Sequence, residues 1–235
     1  MKTISDPNIK VIIPAYNEEE PIGMVLNDIP KDLVSEVIVV DNGSTDFTVE
    51  IANKFGATVL HEPKRGYGYA CQCGIDYLKE KEAIDRPDIV VFLDADYSDF
   101  PEEMYHLVKP IIHDMSDLMI GSRIIGHQIK GALPVHQRIG NWLATKLIWL
   151  FHHIRFTDIG PFRAIRYEYI AKMQLKEKTY GWTIEMQLKA AKMNIRCGEV
   201  PVKYRPRVGQ SKVSGTFKGS IGAGISIFST IFKYV

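Results

Sequence analysis

The chain has 235 residues, 46% hydrophobic and 24% charged, with a formal net charge of +1. That length suits one large α/β core, and that composition excludes disorder or low complexity over most of the chain. Three cysteines (Cys71, Cys73, Cys197) give neither a zinc-type spacing nor an even disulfide set, and a polar stretch at 1–10 predicts no signal peptide, so a reducing compartment is expected.

The first half alternates short apolar runs with helical patterns. Residues 10–14 read as a strand and 18–28 as a helix. Strand 37–41 precedes a helix at 46–55, with Ser44 or Thr45 as its N-cap. A third strand at 57–60 leads into helix 69–81. A fourth, wholly apolar strand at 89–93 is followed by helix 101–113, with proline at its start. Continuous Val/Ile runs separated by helices indicate a parallel sheet covered on both faces. The predicted class is therefore α/β, with a Rossmann-like, mostly parallel central sheet.

The second half is less regular. A strand at 118–121, an apolar helix at 137–152, an edge strand at 162–165, a helix at 183–192 and a last strand at 196–202 are expected. Residues 219–235 form an apolar, glycine-bearing C-terminal segment after a main domain spanning 1–218. From Val200 onward there are six basic residues and no Asp or Glu, which calls for an anionic partner or a solvated face.

Ligands of open parallel sheets bind beyond the carboxyl ends of the strands. Three polar clusters lie there: Pro14 to Glu18, Asp41 to Asp46, and Asp94-Ala95-Asp96. Each alone could be a turn. The third is the sharpest, because two carboxylates two residues apart repel each other unless a cation lies between them. Mg²⁺ or Mn²⁺ takes such oxygens together with phosphate oxygens, and can offset charge on a departing phosphate.

Residues 11–19 (Val-Ile-Ile-Pro-Ala-Tyr-Asn-Glu-Glu), 39–46 (Val-Val-Asp-Asn-Gly-Ser-Thr-Asp), 65–70 (Arg-Gly-Tyr-Gly-Tyr-Ala) and 94–96 occur in that order. Together they resemble the inverting glycosyltransferases of family two. Gly-Ser-Arg (121–123), Asp-Ile-Gly-Pro-Phe-Arg-Ala (158–164) and Arg-Val-Gly-Gln-Ser-Lys (207–212) resemble its dolichol-phosphate-mannose synthase-like branch. The resemblance spans residues 9 to 218 and implies a GT-A fold. It also implies transfer from a UDP- or GDP-linked sugar to a lipid acceptor such as polyprenyl or dolichyl phosphate.

By that resemblance Pro14, Tyr16 and Glu18 line the nucleotide pocket and Asp41 contacts the base. Asp94 faces the nucleotide sugar, Asp96 holds the metal, and Arg207 and Lys212 close over the diphosphate. Arg123 and Arg138 match positions that contact an acceptor phosphate. Ser98 departs from the branch, which often carries Gln there as a further metal ligand, so Asp99 or water is the expected replacement. Glu185, in Tyr-Gly-Trp-Thr-Ile-Glu (180–185), is a general base if the acceptor is an alcohol. It is a positioning or structural residue if the acceptor is a phosphate.

The helix at 142–151 carries Trp142 and Trp149 beside basic residues, and five basic residues precede the apolar 219–235 segment. These features suit peripheral attachment to a cytoplasmic membrane face, although a core helix is the commoner explanation of the first. At 17 residues the C-terminal segment is short for a span. A nicotinamide dehydrogenase is set aside because no G-x-G-x-x-G follows strand one. A sugar-1-phosphate nucleotidyltransferase is disfavoured because no glycine-rich basic loop does either. A nucleic-acid binder would need an aromatic-interleaved basic surface, and only the tail is basic. A catalytically dead nucleotide-sugar binder stays open, with no lost residue to support it. Oligomeric state is not legible.

Overall fold

The computed structural model describes residues 4–209 and 217–234, with 217–223 and 225 described for their backbone alone. Seven strands form one sheet: β1 (Ile9–Ala15), β2 (Glu36–Asp41), β3 (Thr58–His61), β4 (Ile89–Phe92), β5 (Leu118–Ser122), β6 (Arg163–Arg166) and β7 (Cys197–Pro201). Their order is β3-β2-β1-β4-β6-β5-β7, and every pairing is parallel except the two made by β6.

Burial on both faces explains the apolar runs. All four residues of β4 are fully buried, and alternate ones feed opposite cores. Val90 and Phe92 join a core built with α3 (Tyr67–Glu80), α5 (Val135–His152), α6 (Tyr167–Met173), α7 (Trp182–Lys192) and Ile231 of α8 (Phe217–Lys233). Ile89 and Val91 join another with α1 (Ile22–Asp28), α2 (Thr48–Lys54) and α4 (Met104–Ile112). This is the GT-A fold, a mostly parallel sheet between two layers of helices.

Several expected boundaries shift for local reasons. The first helix starts at Ile22, not residue 18, because the amides before it are engaged elsewhere. Glu18 N donates to Thr48 Oγ1 at 2.8 Å and Glu19 N to Asp46 Oδ2 at 3.1 Å. Ser44 and Thr45 do not cap α2. Ser44 Oγ instead accepts Asn17 N at 2.9 Å, and Asp46 Oδ1 accepts Thr48 N at 3.1 Å.

The expected edge strand at 162–165 is an interior one. β6 lies between β4 and β5, while the edges are β3 and β7. Its charged Arg163 is fully buried. The guanidinium donates to the carbonyls of Thr183 (2.8 Å), Ile159 (3.2 Å) and Gly160, so the charge is solvated by backbone oxygens.

Residues 219–233 of the C-terminal segment belong to α8, which packs on α5 and α7. Among the described residues no helix is long and apolar enough to cross a membrane.

Candidate active site

Because β1, β2 and β4 are parallel, their carboxyl ends meet on one rim. A cavity of about 560 Å³ opens there. Of the residues singled out from sequence, Pro14, Tyr16, Glu18, Asp94, Asp96 and Arg207 line it. Asn42, Arg65, Gly66 and Tyr67, which lie in the motifs quoted for the family, also line it without a role assigned from sequence, as does Tyr180, whose sequence signal is the glycine turn beside it.

Asp96 follows β4 on a tight turn through Tyr97, whose φ of +61° is unusual for an aromatic residue. That conformation is over-determined. Tyr97 Oη donates to Asp28 Oδ2 at 2.5 Å, and the Arg205 guanidinium carbon stacks 3.3 Å from the ring centroid. The turn lets Ser98 N and Ser98 Oγ donate to Asp96 Oδ1 at 2.9 and 2.5 Å, leaving Asp96 Oδ2 toward the cavity side, 3.3 Å from Arg207 Nη1. Arg207 Nη2 also reaches Glu18 Oε1 at 2.8 Å, so one guanidinium bridges two carboxylates from separate strand ends.

Asp94 is less well served. Its Oδ1 is buried without a hydrogen-bond partner. Burial first, and the Asp96 charge second, push its carboxyl up to about 7. An orphaned buried oxygen and a repelled carboxylate pair fit a hard divalent ion. Asp94 and Asp96 would hold it, with phosphate oxygens or water completing the shell. Among the described residues no cluster of three His, Cys, Asp or Glu forms a full protein cage.

Arg65 lies over the Tyr16 ring, 3.7 Å from its centroid, making a flat, cationic wall. Asn42 fixes that wall. Its Nδ2 donates to the carbonyls of Glu62 (2.8 Å) and Lys64 (2.7 Å), and its Oδ1 accepts Gly66 N at 2.8 Å.

Other candidate residues lie elsewhere. Asp41 is buried and does not line the cavity. It accepts the amides of Gly43 (3.2 Å) and Ser44 (2.9 Å) and contacts His61 Nδ1 at 3.2 Å, so it organises the turn that presents Asn42. Although burial alone raises its carboxyl, the hydrogen bonds from Ser44 and His61 hold it below the usual range.

Arg123 is not free for a phosphate. Its Nε and Nη2 form a fork on fully buried Asp158 at 2.8 and 2.7 Å. Arg138 is exposed on α5 and lines a second, more apolar groove of about 580 Å³ with Ile139, Trp142 and Lys146. Lys212 lies outside the described residues.

Glu185, the general base expected for an alcohol acceptor, does not line the rim cavity, and its carboxylate is taken up inside the fold. It is fully buried, and its oxygens accept the amides of Lys176 and Glu177 at 2.6–2.9 Å, Lys189 Nζ at 3.0 Å and Tyr234 Oη. Burial raises its carboxyl, but the Tyr234, Glu177 and Lys176 hydrogen bonds bring it below the usual range, which favours a permanent charge.

A parallel-sheet rim carrying an under-partnered acidic pair, a bridging arginine and an aromatic–guanidinium wall defines a site for a phosphate-bearing ligand. Glycosyl transferase family 2 matches residues 10–174, and the chain belongs to that family. It is 36% identical to the dolichyl-phosphate hexose transferase of Haloferax volcanii over 228 residues, covering 94% of this chain and 92% of that one. It is 29% identical to the UDP-N-acetylglucosamine–dolichyl-phosphate N-acetylglucosaminyltransferase of Methanococcus voltae over 222 residues, covering 85% and 86%. Among solved structures, glucosyl-3-phosphoglycerate synthase from Mycobacterium tuberculosis, in complex with Mn²⁺, UDP-glucose and phosphoglyceric acid, shares the fold. The TM-score is 0.74 at 21% identity, covering 97% of this chain and 80% of that one.

Proposed function

We propose that this family 2 glycosyltransferase takes a hexose or N-acetylhexosamine from a UDP- or GDP-linked donor in the rim cavity. The acceptor is a polyprenyl or dolichyl phosphate, met at the cytoplasmic face of a membrane to which the protein attaches peripherally. The observation that carries the reading is the Asp94–Asp96 pair, which carries a buried, orphaned oxygen and lines a cavity that Arg207 also lines. Mg²⁺ or Mn²⁺ bound there would supply charge to neutralise the departing diphosphate. Arg207 would release the two carboxylates it now bridges and contribute its own fork to the phosphates. Tyr16 and Arg65 would pack on the nucleoside.

The acceptor half rests on different features. A phosphate acceptor is already anionic and needs no base, which agrees with a Glu185 fully engaged by backbone amides. Arg138 and Lys146 beside Trp142 (59% exposed) offer cations next to apolar surface, as a lipid phosphate at a headgroup boundary requires. The names of the two archaeal relatives point the same way.

The test is a transfer assay over UDP- and GDP-sugars with Mg²⁺ or Mn²⁺, using polyprenyl phosphate in liposomes. Arg138→Ala should abolish transfer to lipid while sparing slow donor hydrolysis. Binding of no nucleotide sugar would reject the donor assignment. Transfer to soluble alcohols without regard to Arg138 or liposomes would reject the acceptor and membrane assignments.

A further inference from the structure

The stretch 175–181 joins α6 to α7 and has no helix or strand of its own, so what flanks it must fix its position. On one side lies the 65–70 turn of the rim cavity. Tyr69 N donates to Lys178 O at 3.2 Å. A Cβ on Gly66 would stand 2.3 Å from Lys178 O, and one on Gly68 2.3 Å from Glu177 O, so the two backbones touch with no room for a methyl. Tyr180 at the end of the stretch lines the cavity itself.

On the other side lie α7 and α8. Glu185 holds the amides of Lys176 and Glu177. Three hydroxyl contacts then come from the last turns of α8 and the residue after it. Thr230 Oγ1 donates to Glu177 Oε2 at 2.7 Å, Ser226 Oγ pairs with Thr179 Oγ1 at 3.1 Å, and Tyr234 Oη donates to Glu185. Ile231 packs the helix on the apolar core. The hydroxyls reach further, because two of them engage the carboxylates that hold or belong to the strap and the third meets Thr179 within it.

We propose that α8 sets the wall of the donor cavity: Glu185, Thr230 and Tyr234 are positioning residues that act through the 175–181 strap on the 65–70 turn and Tyr180. The inference rests on reading the rim cavity as the nucleotide-sugar site. None of the three residues touches the reacting atoms. Events at the C-terminal helix, including its engagement with a surface, thereby reach donor binding.

The test uses the isosteric double variant Thr230→Val/Tyr234→Phe in the full chain, with single Tyr234→Phe as the milder form. With UDP-glucose and GDP-mannose as probes, the donor KM should rise about five- to tenfold while kcat and acceptor KM change less than about twofold. The melting temperature should move only a few degrees. A second readout needs no substrate. The chain has three tryptophans, and Trp142→Phe/Trp149→Phe leaves Trp182, fully buried beside the strap with its ring 6.0 Å from that of Tyr67. In that background the double variant should expose Trp182 to acrylamide quenching.

Unchanged quenching together with unchanged donor KM overturns the inference. So does a parallel loss of kcat, acceptor affinity and melting temperature, which would mark a structural contact only. Failure of the unsubstituted protein to bind either probe would instead sink the donor reading, and the quenching comparison would still decide whether α8 reaches the wall.

Discussion

Two acidic pairs lie on opposite rims of the same sheet and have opposite surroundings. Asp114 and Asp117 precede β5 and are clamped by two arginines. Arg166 contacts both at 3.0 Å, and Arg196 contacts them at 2.5 and 2.8 Å. Asp94 and Asp96 follow β4 and share one arginine contact at 3.3 Å, with one oxygen orphaned. The first pair is saturated by its own chain. The second, with the Tyr67 hydroxyl and one arginine beside it, keeps capacity for something that arrives. The number of internal cations per carboxylate, more than the presence of acid, separates a strut from a site.

The largest expected effect comes from breaking the under-partnered pair. Asp96→Asn should cut transfer about a thousandfold, since a carboxylate that anchors phosphate-bound charge is worth several kcal/mol in the transition state. The melting temperature should barely change. Steady-state rates with Mn²⁺ and a thermal scan check both halves, and activity near that of the native protein would make 94–96 a turn.

Breaking the clamped pair should do the reverse. Asp117→Asn should cost about 2–3 kcal/mol in urea unfolding while leaving nucleotide binding intact, because two arginines lose their shared partner. Burial alone would raise the Asp117 carboxyl, but Arg196 and Arg166 hold it below the usual range. Its stabilisation is therefore present above about pH 4 and fades as the pH falls below that. The difference between the two proteins should close in acid.

Asp94 should titrate with the opposite sign. Its carboxyl is pushed up to about 7, first by burial and then by Asp96, so ionising it penalises the metal-free fold increasingly between pH 4 and 7. Asp94→Asn should remove that slope and add a few kcal/mol of stability at pH 8 in EDTA, with no gain near pH 4. Equal stability of the two proteins at pH 8 would mean that Asp94 is not strained in the empty site.

This contrast also marks how much was legible in the sequence. The strand runs place β1, β2 and β4 side by side, and their polar ends place Pro14, Tyr16, Glu18, Asp94 and Asp96 on one rim. Local pattern could not show saturation. Arg123 and Glu185 look like functional charges in sequence, yet distant partners consume them: Asp158, and the amides of 176 and 177. Asp41 has the same character, since its carboxylate is engaged by the amides of its own turn and by His61 of the next strand. Tyr180 lines the cavity from a stretch with no helix or strand of its own, which no periodicity encodes.

The smallest effect expected is at Ser98. Its hydroxyl and amide both fix Asp96 Oδ1, and only the hydroxyl is lost in Ser98→Ala. The amide bond at 2.9 Å keeps the carboxylate nearly in place. Transfer should therefore fall only about two- to fivefold, the size of one neutral–charged hydrogen bond partly compensated by its neighbour. Because the defect is in orientation of a carboxylate that would face the cation, raising Mn²⁺ about tenfold should recover most of the loss by mass action. A loss as deep as that of Asp96→Asn, unresponsive to added Mn²⁺, would show that Ser98 does more than orient its neighbour and would remove the distinction between a partly served pair and its single serving hydroxyl.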